Sequence, residues 1–199
     1  RSGISMEHQA EFLARDIDMM VTGSFNLEYR GALELHPVLE ESFILVFPAR
    51  YQGSIDPMGE PISLPLIRFS RLTGTGQQIE RQIVRMKLKL PHLIEVESSH
   101  QQLALVAAGL GWTITTPVCL AAVPELHPQL RPEPMTRGRF ARLVQVVARA
   151  GELGDIPRQT AALCQKVLRD TTFARVHTEY PWISAQLRWP GASLDQEDA

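Results

Sequence analysis

Residues 97–117, ESSHQQLALVAAGLGWTITTP, constrain this chain more than any other stretch. Ser99 is suited to cap a helix, and Gln102 three residues on completes a capping box that satisfies two helix donors left without internal partners. Leu103, Val106, Ala107 and Leu110 recur at helical spacing and define one apolar stripe. Gly109 supplies a left-handed residue to stop the helix, with Leu110 expected to fold back on the stripe. Trp112 to Thr116 is aromatic or β-branched, and Pro117 prevents its extension, so a short buried strand follows. A helix, a glycine stop and a buried strand in sequence make an α/β unit. Ligands of open α/β sheets bind where strands end and helices begin.

The rest of the chain repeats this alternation. Strands are expected over residues 17–22, 33–36, 43–47, 66–69, 92–96 and 143–148, with Pro37 and Pro48 closing the second and third. Thr75 and Gln78 form a second capping box before Ile79, Ile83, Met86 and Leu90, a stripe ended by Pro91. Asp155 is placed to cap a last helix with Pro157 in its first turn, burying Thr160, Cys164, Val167 and Leu168. Beyond about residue 172 periodicity fades, and Tyr180-Pro181-Trp182 and Trp189-Pro190 read as extended. Alternating strands and helices predict an α/β fold with largely parallel sheets. Two extended passages, residues 37–43 and 132–142, are placed to cross between lobes. Lobe one is then residues 1–40 plus 134–175, lobe two 41–133, and 176–199 a C-terminal extension.

Composition limits the function. Lys+Arg 20 against Asp+Glu 22 gives a net charge of −2 over 199 residues, whereas surfaces that neutralise nucleic-acid phosphates are usually basic. No apolar run approaches the roughly 20 residues that span a bilayer. The start, RSGISMEHQ, has neither an initiator methionine nor an export signal pattern. No G-x-S-x-G, H-E-x-x-H or paired metal-ligand spacing is present, so neither an enzyme nor a metal or cofactor is expected. Cys119 and Cys164 sit in apolar surroundings and read as reduced thiols, which fits a cytoplasmic protein. The run Arg81, Arg85, Lys87 and Lys89 reads as a solvated helix face. Gly74-Thr75-Gly76 is either a weak anion loop or a tight turn needing glycine. Arg68 and Arg71 flank this loop and are candidates for gripping a carboxylate.

Four segments carry a resemblance. A helix followed by LVAAGLGWTITTP, the upstream FLARDIDMMVTG with its Asp16-Ile17-Asp18, ALELHPVLEESFILVFPAR and LPLIRFSR together resemble, in order, the effector-binding domain of LysR-type transcriptional regulators. The resemblance covers about residues 4–170. It implies a two-lobed, periplasmic-binding-protein-like (type II) fold whose first strand and helix of lobe one, missing here, would precede Arg1. It implies a small-molecule effector bound between the lobes. Contacts would come from Thr22 and Ser24 after an early strand, Phe69, Ser70 and Thr73 on the second-lobe loop, Ser98 and His100 at a helix start, and Thr116 after the buried strand. It also implies a homodimer or homotetramer that meets DNA only through an N-terminal winged helix-turn-helix absent from this chain. The Arg, Ser and Thr content of these loops makes a small carboxylate or aromatic acid the expected effector. A transporter's solute-binding protein shares the fold and is the alternative.

Overall fold

The run Phe43-Ile44-Leu45-Val46-Phe47 has no polar residue on either side chain set, and it forms the best-buried strand of the molecule. In the computed structural model, which describes residues 5–23, 29 and 31–191, this strand has a core on each face. Nine strands alternate with six α-helices among the described residues: α1 (Ser5–Leu13), β1 (Met19–Thr22), β2 (Leu33–Ser42), β3 (Ile44–Pro48), β4 (Leu66–Phe69), α2 (Gly74–Arg85), β5 (His92–Val96), α3 (Ser99–Ala107), β6 (Thr113–Thr115), α4 (Pro117–Ala121), β7 (Leu130–Pro134), β8 (Ala141–Arg149), α5 (Ile156–Val167), α6 (Phe173–Glu179) and β9 (Leu187–Arg188).

Lobe one is built on the sheet β1-β8-β2-β9, antiparallel throughout. Lobe two combines the antiparallel set β6-β3-β7 with the parallel pair β4-β5. A parallel bridge between Leu66 and Trp112 joins these two sets into one layer. The expectation of largely parallel sheets therefore fails, because β2 and β8 run between the lobes in opposite directions and fill the centre of the first sheet. Their pairing continues from Leu33 to Ser42, through Pro37, where the sequence suggested a stop. A register shift between Pro37 and Leu39 absorbs the missing proline N–H.

Ile44 and Val46 face a core shared with Val38, Leu39, Leu103, Val106, Leu120 and Val146. Phe43, Leu45 and Phe47 face the other side, with Leu66, Ile79, Ile83, Trp112 and Ile114. Each such side chain, fully withdrawn from water, contributes about 1.5–3 kcal/mol before entropy is charged against it. A third cluster packs Phe12 of α1 on Met20 and Val147. Arg149 locks that corner: its buried guanidinium donates to Asp18 Oδ1 at 2.7 Å, Glu152 Oε2 at 2.7 Å and the carbonyls of Phe12 and Ile17.

Local predictions were altered by packing. The N-cap of α3 is Ser98, not Ser99, and it makes no side-chain cap bond. Gln102 is fully buried and reaches sideways to the Ile67 carbonyl at 3.2 Å instead of back to its own helix end. Gly109 does end the helix, at φ +83°. Its N–H bonds to Val106 O and that of Leu110 to Leu105 O, the paired closure that satisfies the last carbonyls. Leu110 itself points outward, 45% exposed. The segment after residue 172 is not extended. A π-turn leads from α5 into α6, Pro181–Gln186 forms a 3-10 helix, and β9 pairs with β2. Phe173, Val176 and Ile183 close the main core from this tail, with Trp182 and Trp189 packed against it.

The strands pass between lobes at Phe43 and at residues 135–140. These passages touch: Phe43 N donates to Phe140 O at 2.9 Å, and the two rings stack with centroids 4.0 Å apart.

Candidate functional site

A buried ion pair lies where the lobes meet. Glu41 of β2 and Arg142 of β8 are direct cross-strand neighbours. The Glu41 side chain is fully buried and that of Arg142 is 10% exposed. Arg142 Nε donates to Glu41 Oε1 at 2.8 Å, while the other carboxylate oxygen accepts the Val118 N–H at 2.9 Å. The guanidinium then reaches into lobe two, donating from Nη1 to Thr75 Oγ1 at 2.7 Å and from Nη2 to Thr116 Oγ1 at 3.0 Å. Cys119 Sγ is 3.9 Å from the same nitrogen. Burial alone would make the guanidinium easier to deprotonate, but the Glu41 charge outweighs it, assisted by Cys119, and holds its pKa above the ordinary arginine value.

Two further groups border this pair. Gly23, just after β1, lies against the Arg142 side chain. Its carbonyl accepts Gln78 Nε2 at 3.1 Å, so α2 of lobe two is tied to the end of β1 in lobe one. Gln78 Oε1 is buried with no hydrogen-bond partner among the described residues, and an unsatisfied buried acceptor of this kind costs about 1–3 kcal/mol. The lobe junction thus brings together a guanidinium, the two hydroxyls it donates to and a buried amide oxygen without a partner among the described residues, groups whose chemistry suits a polar molecule with an anionic group.

The loop residues picked from the sequence fall in three environments. Thr116 is buried at the pair and caps α4, accepting the Cys119 N–H at 3.5 Å. Thr22 is buried at the end of β1, opposite Gln145. Ser24 lies outside the described residues. Ser70 and Thr73 are buried together: Thr73 Oγ1 donates to Ser70 O at 2.7 Å and accepts Gly76 N–H at 3.0 Å, which makes Thr73 the N-cap of α2. Thr75 is one turn-step inside that helix and therefore free to meet Arg142, not the cap it resembled. Phe69 is half-buried and packs on the Trp112 cluster. Ser98 is half-buried at the start of α3. His100 points into solvent with Glu125 at 3.4 Å, both more than half exposed.

Ser70, Glu95, Val96, Glu97 and Gln101 line a second opening of about 430 Å³ beside the loop after β4. Glu95 accepts the Arg71 N–H at 3.0 Å. This bond, against the opposing effect of burial and with help from the Ser70 hydroxyl, holds its carboxyl below the ordinary glutamate range. Of the arginines flanking the loop, Arg68 is committed within the protein. Arg68 is paired with Glu80 at 3.0 Å, and Arg71 contributes its backbone. Arg81, Arg85, Lys87 and Lys89 are all exposed, as a solvated face requires. Both cysteines are free and half-buried, and burial pushes the Cys164 thiol up.

Sequence reasoning missed Glu41, Arg142, Thr75 and Gln78 as a group. Glu41 and Arg142 lie in the passages 37–43 and 132–142, which the sequence marks only as crossings between lobes. Only the strand register places them side by side.

Comparison with solved structures gives the same architecture. The Corynebacterium glutamicum OxyR C206 mutant superposes with a TM-score of 0.68 at 20% identity, over 87% of this chain and 55% of that one. The Synechocystis PCC6803 CcmR regulatory domain in complex with 2-PG gives 0.64 at 13% identity, over 84% and 81%. The effector binding domain of QuiR in complex with shikimate gives 0.60 at 12% identity, over 89% and 80%. The chain thus spans about half of the OxyR chain and four-fifths of the other two. No curated protein sequence matches it. Residues 1–169 match the family described as LysR substrate binding domain. With that match over most of its length and the two-lobed fold, the chain belongs to the LysR substrate-binding domain family.

Proposed function

We propose that the chain is the effector-sensing part of a LysR-type regulator, and that its effector is a small carboxylate held in the cleft at Arg142. The observation that carries this reading is the Glu41–Arg142 pair, whose guanidinium bridges to Thr75 and Thr116 across the lobe junction. A ligand carboxylate can replace these hydroxyls on the guanidinium, where bidentate pairing is strongest. Gln78 Oε1 offers an acceptor for a ligand hydroxyl or amine. The shikimate bound by QuiR is a polar carboxylate of this kind. Membership of the LysR family favours a regulator over the solute-binding alternative.

Ligand in the cleft changes lobe closure, with Phe43 and residues 135–140 as hinges. The change passes to DNA through a winged helix-turn-helix outside this chain. Two copies pair through lobe one, where α5 exposes Ile156, Leu163 and Val167, all at least 48% exposed. The reading as a regulator places the protein in the cytoplasm.

The test is thermal stabilisation by a panel of small carboxylates, amines and neutral analogues, repeated on Thr75→Val and Gln78→Ala. Carboxylates alone should raise Tm; Gln78→Ala should cut the shift, whereas Thr75→Val, which removes a hydroxyl the ligand displaces, should keep or enlarge it. Stabilisation by amines or neutral compounds only would sink the carboxylate assignment. Equal sedimentation of Leu163→Glu and the parent chain would rule out pairing through α5.

A further inference from the structure

Behind the effector cleft, on the reverse face of the same strand pair, lies a cavity of about 280 Å³. Alternation along the strands decides what lines it. Glu41 and Arg142 point into the cleft, so Glu40 and Ser42 of β2, and Ala141 with Arg139 ahead of β8, point the other way. β9 adds Arg188 and Gln186 from the far edge, with Glu40 directly opposite Arg188. The wall is thus shared by both crossing passages and the C-terminal tail.

The charges in this cavity are unbalanced. Among the described residues Arg139 makes one side-chain hydrogen bond, from Nη2 to Gln186 Oε1 at 3.4 Å. Neither Arg139 nor Arg188 has a carboxylate within ion-pair distance among the described residues. Elsewhere the arginines that line inward surfaces are committed, Arg68 to Glu80, Arg142 to Glu41 and Arg149 to Asp18. Glu40 faces Arg188 across the strands without closing on it, which leaves one carboxylate against two guanidiniums. Gln186 is itself buried, so the position of Arg139 is braced. Phe140 and Ala185 supply an apolar wall.

We propose that this cavity is a second ligand site, distinct from the effector cleft, for a small organic carboxylate. The carboxylate sits between Arg139 and Arg188, the body of the ligand lies on Phe140 and Ala185, and Ser42 donates its hydroxyl. The assignment does not depend on the effector reading, because it uses none of the cleft residues. The neighbouring strand positions give it a route to the cleft: whatever fixes Glu40 and Ala141 also fixes Glu41 and Arg142.

The experiment is a titration of the 199-residue chain with butyrate, acetate and inorganic phosphate at low salt, followed by amide chemical shifts. Butyrate should bind more tightly than acetate and move the amides of Ser42, Ala141, Ala185 and Gln186. Arg139→Gln and Arg188→Gln should each weaken butyrate about tenfold. Both arginines are exposed, so the fold should survive, and Arg188→Lys should restore part of the affinity. Thr75→Val should leave butyrate binding at these amides unchanged. Three outcomes would overturn the proposal: no shifts with any probe, shifts confined to the Thr75 and Thr116 region, or binding of phosphate alone. Butyrate affinity unaffected by both glutamine variants would overturn it as well.

Discussion

Replacing Arg142 by methionine tests whether the lobe junction is held by a buried charge pair. The change removes the donors to Glu41, Thr75 and Thr116 while keeping an unbranched side chain in the space. Glu41 is then left fully buried with only the Val118 N–H on its carboxylate. Removing one member of such a pair costs about 3–5 kcal/mol, because the surviving charge loses its compensation. Replacing both members by apolar residues of similar size is often close to neutral. Glu41→Met with Arg142→Met should therefore lose less than the two single changes together. In a chain of this size each kcal/mol moves Tm by about 2–4 °C, so Arg142→Met should melt roughly 6–20 °C lower.

The assay is urea unfolding of the parent, both single variants and the double variant, followed by the fluorescence of buried Trp112. The cycle should give a coupling energy of about 1–3 kcal/mol. Singles that each lose under about 1 kcal/mol, or losses that simply add in the double variant, would refute the idea that the pair acts as a unit. Such a result would also remove the ground for placing the effector there.

Four further outcomes follow from the packing. An added methyl at Gly76 would sit 2.0 Å from the Ser70 carbonyl oxygen, so Gly76→Ala should cost about 2–3 kcal/mol in urea unfolding. Gly109→Ala has open space around it and carries only a left-handed φ, so its loss should be nearer 1–2 kcal/mol. Equal losses at the two sites would contradict the close approach at α2. Thr73→Ala should remove about 1 kcal/mol of helix-cap stability yet leave a carboxylate-induced Tm shift in place, whereas abolition of that shift would return Thr73 to the site. Glu95 has a depressed carboxyl pKa, so its bond to the Arg71 amide is intact above the ordinary glutamate value of 4.5 and is lost as pH falls through a lower folded value. The Arg71 amide shift should titrate below pH 4.5 and stop titrating in Glu95→Gln, and a midpoint at or above 4.5 would contradict the sign. Ending the chain at Leu168 removes Phe173, Val176, Ile183 and Leu187 from the core, about 6–12 kcal/mol of burial. That matches the whole net stability of a typical domain, so the shortened chain should lack a cooperative melt.

Local chemistry in the sequence was a reliable guide where one residue decides the outcome by itself. Gly109 stopped α3 at the expected place because its φ is positive. The apolar run 43–47 became a doubly covered strand because it has no polar face to turn outward. Failures came where a distant partner competed. Gln102 looked like half of a capping box, but the unpaired Ile67 carbonyl captured its amide. Pro37 looked like a strand end, but nine residues of pairing with β8 carried the strand across it. The tail after residue 172 lacked a clear stripe because its helices are short and bury single large side chains, Phe173 and Ile183 among them.

The candidate site was harder to read for a reason that is chemical and not statistical. Serine and threonine at a helix start are the signature both of a cap and of a ligand contact, and one hydroxyl cannot serve fully as both. Thr73 donates to Ser70 O and accepts from Gly76, so its role in closing α2 leaves little for a ligand. That closure is what sets Thr75, two residues later, at the lobe junction with its hydroxyl on Arg142. Thr116 escapes the conflict because its cap bond is long, 3.5 Å, and its oxygen also accepts from Arg142 at 3.0 Å. The proposed ligand, in taking Arg142 from these hydroxyls, would release Thr75 and Thr116 and leave the cap of α2 intact.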